Sequence, residues 1–212
     1  MIEKVDLGLL RYDEALRQQL SFHQKAVSSE QSYCLFVEHH PVVTIGKNSD
    51  TSDLVATPEW LQEQGIEVIP TTRGGKLTIH EPGQLVVYPV FRIRDLSLGA
   101  KGLISMLAEQ TASTLKDFDL ACYPKLDPAG VWINETTKIA SIGIRIANRV
   151  SYHGIAINLN NSLDTFKAIL PCGLQGVKMT SYQSQKGSRL NMADFKEQLF
   201  QRIIKATQQT AS

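Results

Sequence analysis

The stretch Thr137–Leu159, TKIASIGIRIANRVSYHGIAINL, decides the fold class because it contains two β-like runs separated by a short polar turn. In the first run, Lys138–Ile146, Ser141 and Gly143 alternate with Ile142 and Ile144, as in a half-buried strand. The second run, Val150–Leu159, follows almost at once. Two adjacent runs of this kind predict a β-hairpin.

Working outward, both helical and strand patterns flank this hairpin. Apolar spacing of three and four residues predicts a helix over Tyr12–Val27, a long helix over Ala100–Phe118 and a C-terminal helix from about Asn191, while Pro58 and Gly65 bracket a short one. Further strands are predicted at Tyr33–Val37, Val42–Ile45, Glu67–Pro70, Lys76–Ile79, Gln84–Val90 and Gly130–Asn134. This irregular order favours an α+β fold over a regular βαβ repeat. With no repeat or linker, residues 1–212 are expected to form a single domain.

Composition excludes several classes of protein. With 22 Lys+Arg against 21 Asp+Glu, the net charge of +1 excludes nucleic-acid binding driven by overall charge, although a local basic patch stays possible. The charged opening residues indicate no secretory signal, and the most apolar stretch, Gln84–Phe91, is too short for a membrane span. The three cysteines form no CxxC pair, which favours a reducing compartment. We therefore expect a cytoplasmic protein without nucleic-acid or membrane partners.

Arg73–Gln84, RGGKLTIHEPGQ, is the first stretch that indicates chemistry. Paired glycines allow a ligand to approach the backbone closely, and Arg73 could hold a carbonyl, carboxylate or phosphate. His80 could bind, orient or transfer protons. A hairpin whose glycines serve only the turns is an equally good explanation from spacing alone.

Lys138 and Cys172 are candidate reactive side chains. Lys138 precedes a strongly apolar strand, where desolvation lowers an ammonium pKa, although lysines at such positions are usually solvated strand edges. Cys172 lies between Pro171 and Gly173, a setting that can present a thiolate beside backbone N–H groups. A lone cysteine is more often structural. Cys34 and Cys122 lack such a setting and are predicted to be buried packing residues.

No metal or nucleotide signature is present in the sequence. His39 and His40 are adjacent and would point to opposite faces of a strand, and there is no HExxH, Walker loop or GxGxxG motif. Gly154–Ala156 would give a strand a flat, narrow wall, suited to an extended ligand or to a crossing helix.

Taken together, RGGKLTIH, KIASIGIRI, SYHGIAINLN and PCG, in this order, closely resemble the lipoyl(octanoyl) transferase family. The resemblance extends from about residue 40 to about residue 175. It implies a single α+β domain shared with biotin and lipoate ligases, in which a mixed β-sheet is flanked by helices. It also implies that an octanoyl or lipoyl group passes from octanoyl-acyl carrier protein to a lysine of lipoyl domains or of the glycine cleavage H protein. The lipoyl domains would be those of 2-oxoacid dehydrogenase complexes.

The resemblance also assigns roles to residues of this chain. Cys172 becomes the acyl-thioester cysteine, and Lys138 lowers the pKa of its thiol. The implied substrate-binding residues are Arg73, Gly74, Gly75, Lys76, Leu77, Thr78, Ile79, His80, Ser141, Ile142, Gly143, Gly154, Ile155 and Ala156. Since a thioester is converted downhill to an amide, no cofactor, ATP or metal is expected. Because carrier proteins are acidic, a basic docking patch is expected among Arg73, Lys76, Arg92, Arg94, Arg145, Arg149 and Lys178.

Two positions depart from the family pattern. Ile79 stands where a tyrosine is usual, and Glu81 where a glycine is usual. Glu81 could raise the pKa of the adjacent His80 or alter docking. Three alternatives stay open at this point: an ATP-dependent lipoate or biotin ligase, a transferase with another acyl donor or acceptor, and a non-catalytic acyl-binding module.

Overall fold

A computed structural model describes residues 2–49, 53–96, 98–169 and 176–210. In the described part of the chain, eight strands form one sheet and three form a second sheet. The large sheet has the order β1-β2-β6-β10-β9-β8-β7, with β11 beside β9, and contains β1 (Ile2–Leu10), β2 (Ser32–His39), β6 (Gln84–Val90), β7 (Tyr123–Leu126), β8 (Ala129–Asn134), β9 (Thr137–Ala147), β10 (Val150–Asn158) and β11 (Lys178–Met179). The small sheet has the order β4-β3-β5 and contains β3 (Val42–Ile45), β4 (Glu67–Pro70) and β5 (Thr78–His80).

Both sheets are mixed. In the large sheet β1 and β11 pair in parallel with β2 and β9, and the other neighbours are antiparallel. In the small sheet β3 pairs in parallel with β4 and antiparallel with β5. The predicted α+β class is confirmed.

The predicted hairpin is β9–β10, whose register pairs Gly143 with Gly154. Its two turn residues, Asn148 and Arg149, both have positive φ, of 50° and 62°. Two such residues match the type I′ turn, whose backbone twist suits a two-residue hairpin. The hairpin forms the centre of the large sheet, between β6 and β8.

Helices cover both faces of the large sheet. The described helices are α1 (Tyr12–Ser28), α2 (Pro58–Glu63), α3 (Ala100–Asp117), α4 (Tyr182–Lys186) and α5 (Met192–Thr210). One core cluster packs α3 and α5 against one face, for example Leu107 and Leu199 against Phe36. A second packs α1 against the opposite face, where Leu35 lies. Alternate residues of β2 are therefore buried on opposite sides, which explains its continuous apolar pattern.

A third apolar cluster joins the small sheet to the chain that follows β10. Val43 and Ile79 pack there against α2 and against the 3₁₀ helix Asp164–Ala168. Helix α2 begins as predicted, with Pro58 in its first turn and the Thr57 side chain accepting a hydrogen bond from the Trp60 N–H at 3.2 Å. The small sheet thereby becomes a second wall beside the large one.

Two differences from the predicted elements have physical causes. Strand β1 was not predicted, because its charged residues hide a strand pattern; Lys4 and Asp6 instead form ion pairs with Glu197 and Lys196 of α5. The strand predicted at Lys76–Ile79 is found at Thr78–His80, because the preceding loop turns toward β9, where the Gly74 N–H donates to the Ile144 carbonyl at 3.3 Å.

Among the described residues, no helix has both the length and the apolar character required to cross a membrane.

Candidate active site

A cleft of about 650 Å³ lies where the large sheet, the small sheet and α1 meet. It is lined by almost every residue that the sequence indicated and the structure describes. Those residues are Arg73, Gly74, Gly75, Lys76, Leu77, Thr78, His80, Lys138, Ser141, Ile142, Gly143, Gly154, Ile155 and Ala156. Three separate stretches of sequence are therefore brought to one cavity.

Ile79 is the one described residue of the predicted set that does not line the cleft. It is completely buried in the third apolar cluster, among side chains such as Val43 and Leu61. Because successive side chains of a strand point to opposite faces, Thr78 and His80 face the cleft while Ile79 faces away. Its departure from the family pattern therefore changes packing behind the wall.

The loop Arg73–Lys76 approaches the central hairpin very closely at Gly143. A Cβ atom at this position would lie 2.6 Å from the Gly74 carbonyl oxygen and 3.5 Å from the Arg73 Cδ. Only glycine leaves room for such an approach. The contact fixes the loop against β9 and forms one side of the cleft.

Arg73 supplies a buried positive charge at this wall. Its side chain is 8% exposed and donates to the Thr44 carbonyl at 2.7 Å, to the Thr44 hydroxyl and to the Gly74 carbonyl. Burial lowers the pKa of the guanidinium to about 10, so it stays charged at neutral pH. None of these acceptors is a carboxylate, so the charge is available to an electron-rich group in the cleft.

Next to Arg73, the predicted residue His80 belongs to a group of aromatic and imidazole rings. Its other members, Tyr12, His39 and Tyr88, were not assigned to the site from the sequence. The Tyr12 ring stacks on His80 with centroids 5.9 Å apart, and His39 lies 5.3 Å from His80. His39 Nδ1–H donates to the Leu10 carbonyl at 3.3 Å, so in the neutral ring Nε2 accepts from the Tyr88 hydroxyl at 2.7 Å. Tyr12 and Tyr88 line the cleft with His80, whereas His39 supports them from behind.

Burial keeps these imidazoles neutral. Burial lowers the pKa of His39 to about 4 and that of His80 well below its ordinary value. In His153, burial with the nearby Arg73 and Arg145 lowers the pKa to about 3. His153 lines the cleft, has a φ of 56° within β10, and was quoted in the SYHGIAINLN motif without being assigned a role. This part of the cleft is polar but carries no charge on its histidines.

Lys138 lies near the beginning of β9 and is 2% exposed. Its Nζ is 5.2 Å from the centroid of the Trp132 ring, and its carbonyl accepts from the Thr180 N–H at 2.9 Å. An ammonium over an indole face is attracted by the ring quadrupole. The alternative of a solvated lysine at a strand edge is therefore wrong. Lys138 is buried in the wall of the cleft, as the prediction of a desolvated lysine required.

Cys172 belongs to residues 170–175, which lie outside the described residues. Immediately before them, Ile169 lines the cleft. The other two cysteines are buried, as predicted. Burial raises the pKa of Cys34, and raises that of Cys122 to about 11, so neither thiol ionises readily at neutral pH.

The predicted basic patch requires a correction. Arg73 and Arg92 are both buried, so neither can take part in an exposed docking surface. Arg149 and Lys178 are exposed, but Lys178 pairs with Thr137 at the beginning of the 11-residue strand β9 and Arg149 follows its end, a separation of roughly 35 Å along the sheet. Arg73 and Arg92 are therefore removed as candidates, and a docking patch among the other five residues stays a prediction.

Among the described residues, no three His, Cys, Asp or Glu side chains lie together as metal ligands do. The expectation that the reaction needs no metal and no cofactor stays a prediction.

Comparison with known proteins places this cleft in a family. The model described as the lipoyl protein ligase A/B catalytic domain matches residues 11–204. The chain belongs to this lipoyl protein ligase A/B family. A relative from Nitratidesulfovibrio vulgaris (strain DSM 19637 / Miyazaki F), named octanoyltransferase, is 38% identical over 194 residues, which cover 91% of this chain and 88% of the relative.

Solved structures of a lipoate-protein ligase and of a biotin protein ligase agree with the architecture. Lipoate-protein ligase A bound with ATP aligns with a TM-score of 0.77 at 15% identity, covering 97% of this chain and 85% of that protein. Biotin protein ligase from Aquifex aeolicus in complex with biotin and ATP aligns with a TM-score of 0.60 at 11% identity, covering 98% and 71%. The predicted kinship with biotin and lipoate ligases is confirmed at the level of the fold.

Proposed function

We propose that this protein is an octanoyltransferase, which moves an octanoyl group from acyl carrier protein to a lysine of lipoyl domains. The observation that carries the proposal is the single cleft that unites the three described motifs with the buried Lys138. Membership of the lipoyl protein ligase A/B family and a 38% identical relative named octanoyltransferase support it. Lipoyl domains and the glycine cleavage H protein are the proposed acceptors, and the cytoplasm is the proposed compartment.

The walls of the cleft suit an acyl chain. Apolar residues of the large sheet, of the loop before β5 and of the chain after β10 line it: Leu77, Val86, Ile142, Ile155, Phe166, Ile169 and Met179. Burying each methylene group contributes about 0.8 kcal/mol, so an eight-carbon chain gains several kcal/mol from such walls. The volume also lies within the usual range for small-molecule sites, roughly 300–1,000 Å³.

In the proposed reaction, the Cys172 thiolate attacks the carbonyl carbon of the octanoyl thioester. A C–S bond forms, the bond to the phosphopantetheine sulfur breaks, and the carrier protein leaves with its thiol after taking up a proton. A neutral lysine amine of the acceptor then attacks the enzyme thioester, giving an amide and the free Cys172 thiol. Each half reaction exchanges one acyl bond for another, so ATP does not enter the balance.

Lys138 is the proposed proton carrier for both half reactions. As a neutral amine it accepts the thiol proton, and as an ammonium it stabilises the thiolate. In the second half reaction it accepts the proton that the acceptor amine loses on attack. Its burial and its position over Trp132 hold the side chain in one place, which is the requirement for proton transfer at short range.

The test is incubation of the protein with octanoyl-acyl carrier protein, without ATP, followed by intact-mass measurement. We expect an added octanoyl mass on the wild type and on the Cys122→Ala control, and no addition on Cys172→Ala. Lys138→Ala should acylate slowly at neutral pH and recover partly at higher pH. A wild type that gains no octanoyl group would overturn the covalent mechanism, and acceptor modification that requires ATP would indicate a ligase.

A further inference from the structure

Glu81, the residue that replaces the usual glycine, is one of two buried carboxylates in the part of the chain that the structure describes, the other being Asp53. Glu81 is 4% exposed and lies in the turn between β5 of the small sheet and β6 of the large sheet. Its Oε1 accepts from the Asn161 side-chain amide at 2.8 Å and from the Leu163 N–H at 2.9 Å, and its Oε2 accepts from the Thr165 hydroxyl. One carboxylate therefore holds three donors of the segment that follows β10.

The backbone joins the same two segments. The Asn160 N–H donates to the Gly83 carbonyl at 2.9 Å, and a Cβ atom at Gly83 would lie 2.7 Å from the Asn160 carbonyl carbon. The turn and the segment are thus in direct contact. The three bonds to Glu81 extend this contact from Asn160 as far as Thr165.

The held segment leads directly to the wall of the cleft. Thr165 lies in the 3₁₀ helix Asp164–Ala168, and Phe166 of this helix lines the cleft. Ile169, directly after the helix, lines it as well. Both apolar side chains are almost completely buried, at 8% and 4% exposure. A displacement of the helix would therefore move part of the apolar wall.

Glu81 acts separately from its neighbour His80. The Nδ1–H of His80 donates to the Gln84 Oε1 at 2.7 Å, and the Gln84 amide is held in this orientation because its NH₂ donates to the Ile79 carbonyl and to Asn158. None of the hydrogen bonds to Glu81 comes from His80. Of the two possible effects of Glu81, a raised pKa of His80 does not occur, since burial lowers that pKa well below its ordinary value; an effect on docking stays a prediction.

We propose that Glu81 is a positioning residue that holds Phe166 and Ile169 in place and thereby sets the length of acyl chain that the cleft accepts. The proposal rests on the proposed acyltransferase function. A glycine at this position would offer no side-chain acceptor to Asn161, Leu163 or Thr165.

The experiment compares octanoyl- and dodecanoyl-acyl carrier protein as donors, with kcat/KM measured for each. Glu81→Ala removes all three bonds, whereas Glu81→Gln keeps an oxygen for Asn161 and Leu163 and an NH₂ that can donate to the Thr165 hydroxyl. Thr165→Val removes one donor and serves if Glu81→Ala folds poorly. Glu38→Gln is the matched control, because Glu38 accepts from the Gly83 N–H of the same turn at 2.8 Å.

We expect the preference for octanoyl over dodecanoyl to fall about tenfold in Glu81→Ala, since the fit of one or more methylenes is worth at least that factor. Thr165→Val should show a smaller fall, Glu81→Gln should recover most of the preference, and Glu38→Gln should keep it. Hydrogen exchange of the Leu163 amide should become faster in Glu81→Ala.

The outcomes separate this role from the proposed function. A wild type that transfers no acyl group overturns the proposed function and the acyl-length role with it. A wild type that transfers octanoyl while folded Glu81→Ala and Thr165→Val keep its full preference overturns only the role of Glu81. A loss of preference in Glu38→Gln equal to that in Glu81→Ala would assign the effect to the turn in general.

Discussion

Replacement of Gly143 by alanine tests whether the close approach of the loop Arg73–Lys76 to β9 forms the working wall of the cleft. The new Cβ would lie 2.6 Å from the Gly74 carbonyl oxygen, whereas ordinary contacts begin at 3.4 Å. The loop must therefore move by about 0.8 Å. The Gly74 N–H···Ile144 carbonyl bond, already 3.3 Å long, would be lost if the loop moved directly away.

The expected cost divides into stability and activity. Loss of one backbone hydrogen bond costs about 1 kcal/mol, and overpacking of a close contact costs about 1–3 kcal/mol. Activity should suffer more, because the loop carries Arg73 and lines the cleft, and a misplacement of about 1 Å can reduce a rate about 100-fold. We expect kcat/KM for octanoyl transfer to fall about 10- to 100-fold in a protein that still folds.

The assay is octanoyl transfer at saturating acceptor, with urea unfolding measured on the same samples. Gly99→Ala is the matched control, because Gly99 caps α3 with φ of −82° and a Cβ there would meet nothing within 4 Å. It should keep full activity. If Gly143→Ala kept wild-type kcat/KM, activity would not depend on the close approach of the loop Arg73–Lys76 to β9, and the prediction would be refuted.

Two further predictions concern the buried groups around the cleft. Burial lowers the pKa of His39 to about 4, so on acidification this imidazole takes up a proton in the unfolded chain before it does so in the folded protein. The free energy of unfolding should therefore fall by roughly 3 kcal/mol as pH falls from 6.5 to 4. The free energy of unfolding, measured in urea, should depend less on pH in His39→Gln than in the wild type. The control His40→Gln, at an exposed position, should behave like the wild type, and equal slopes for all three proteins would contradict the prediction. Trp132→Leu should slow acylation about tenfold, whereas Lys125→Gln, which removes the other ammonium near that ring, should not. The rate of acylation is measured from the intact mass of samples quenched at successive times. If Trp132→Leu were acylated at the wild-type rate, Trp132 would not position Lys138.

The parts of the site that could be predicted from the sequence are those in which a single residue type indicates a structural requirement. Gly143 and Gly154 mark places where two backbones approach so closely that a Cβ atom does not fit, and Gly75 has a φ of 82°, a conformation that favours glycine. Such constraints act on single positions, so they can be recognised before the fold is known. The burial of Lys138 could not be predicted from its position alone, because lysines before an apolar strand are usually solvated strand edges.

Other parts of the site depend on contacts between segments that are distant in the sequence, and no local sequence pattern indicates them. His39 of β2 meets Tyr88 of β6 because these strands pair, and Tyr12 at the beginning of α1 stacks on His80 at the end of β5. The residues around Tyr12, His39 and Tyr88 give no indication that these side chains share a site with His80. For the same reason β1 escaped prediction, since its charged side chains find their partners on α5, at the other end of the chain.

The charges that line the cleft fit the order of the proposed reaction. Arg73, Lys76 and Lys138 line it together with one described carboxylate, Asp127, and Lys76 also faces Asp53 at 3.4 Å. The histidines of the cleft add no positive charge, because burial lowers the pKa values of His80 and His153. The remaining positive charge favours a thiolate and an anionic tetrahedral intermediate, and it disfavours entry of a charged lysine. An acceptor amine is therefore selected in its neutral form, the form that can attack the thioester.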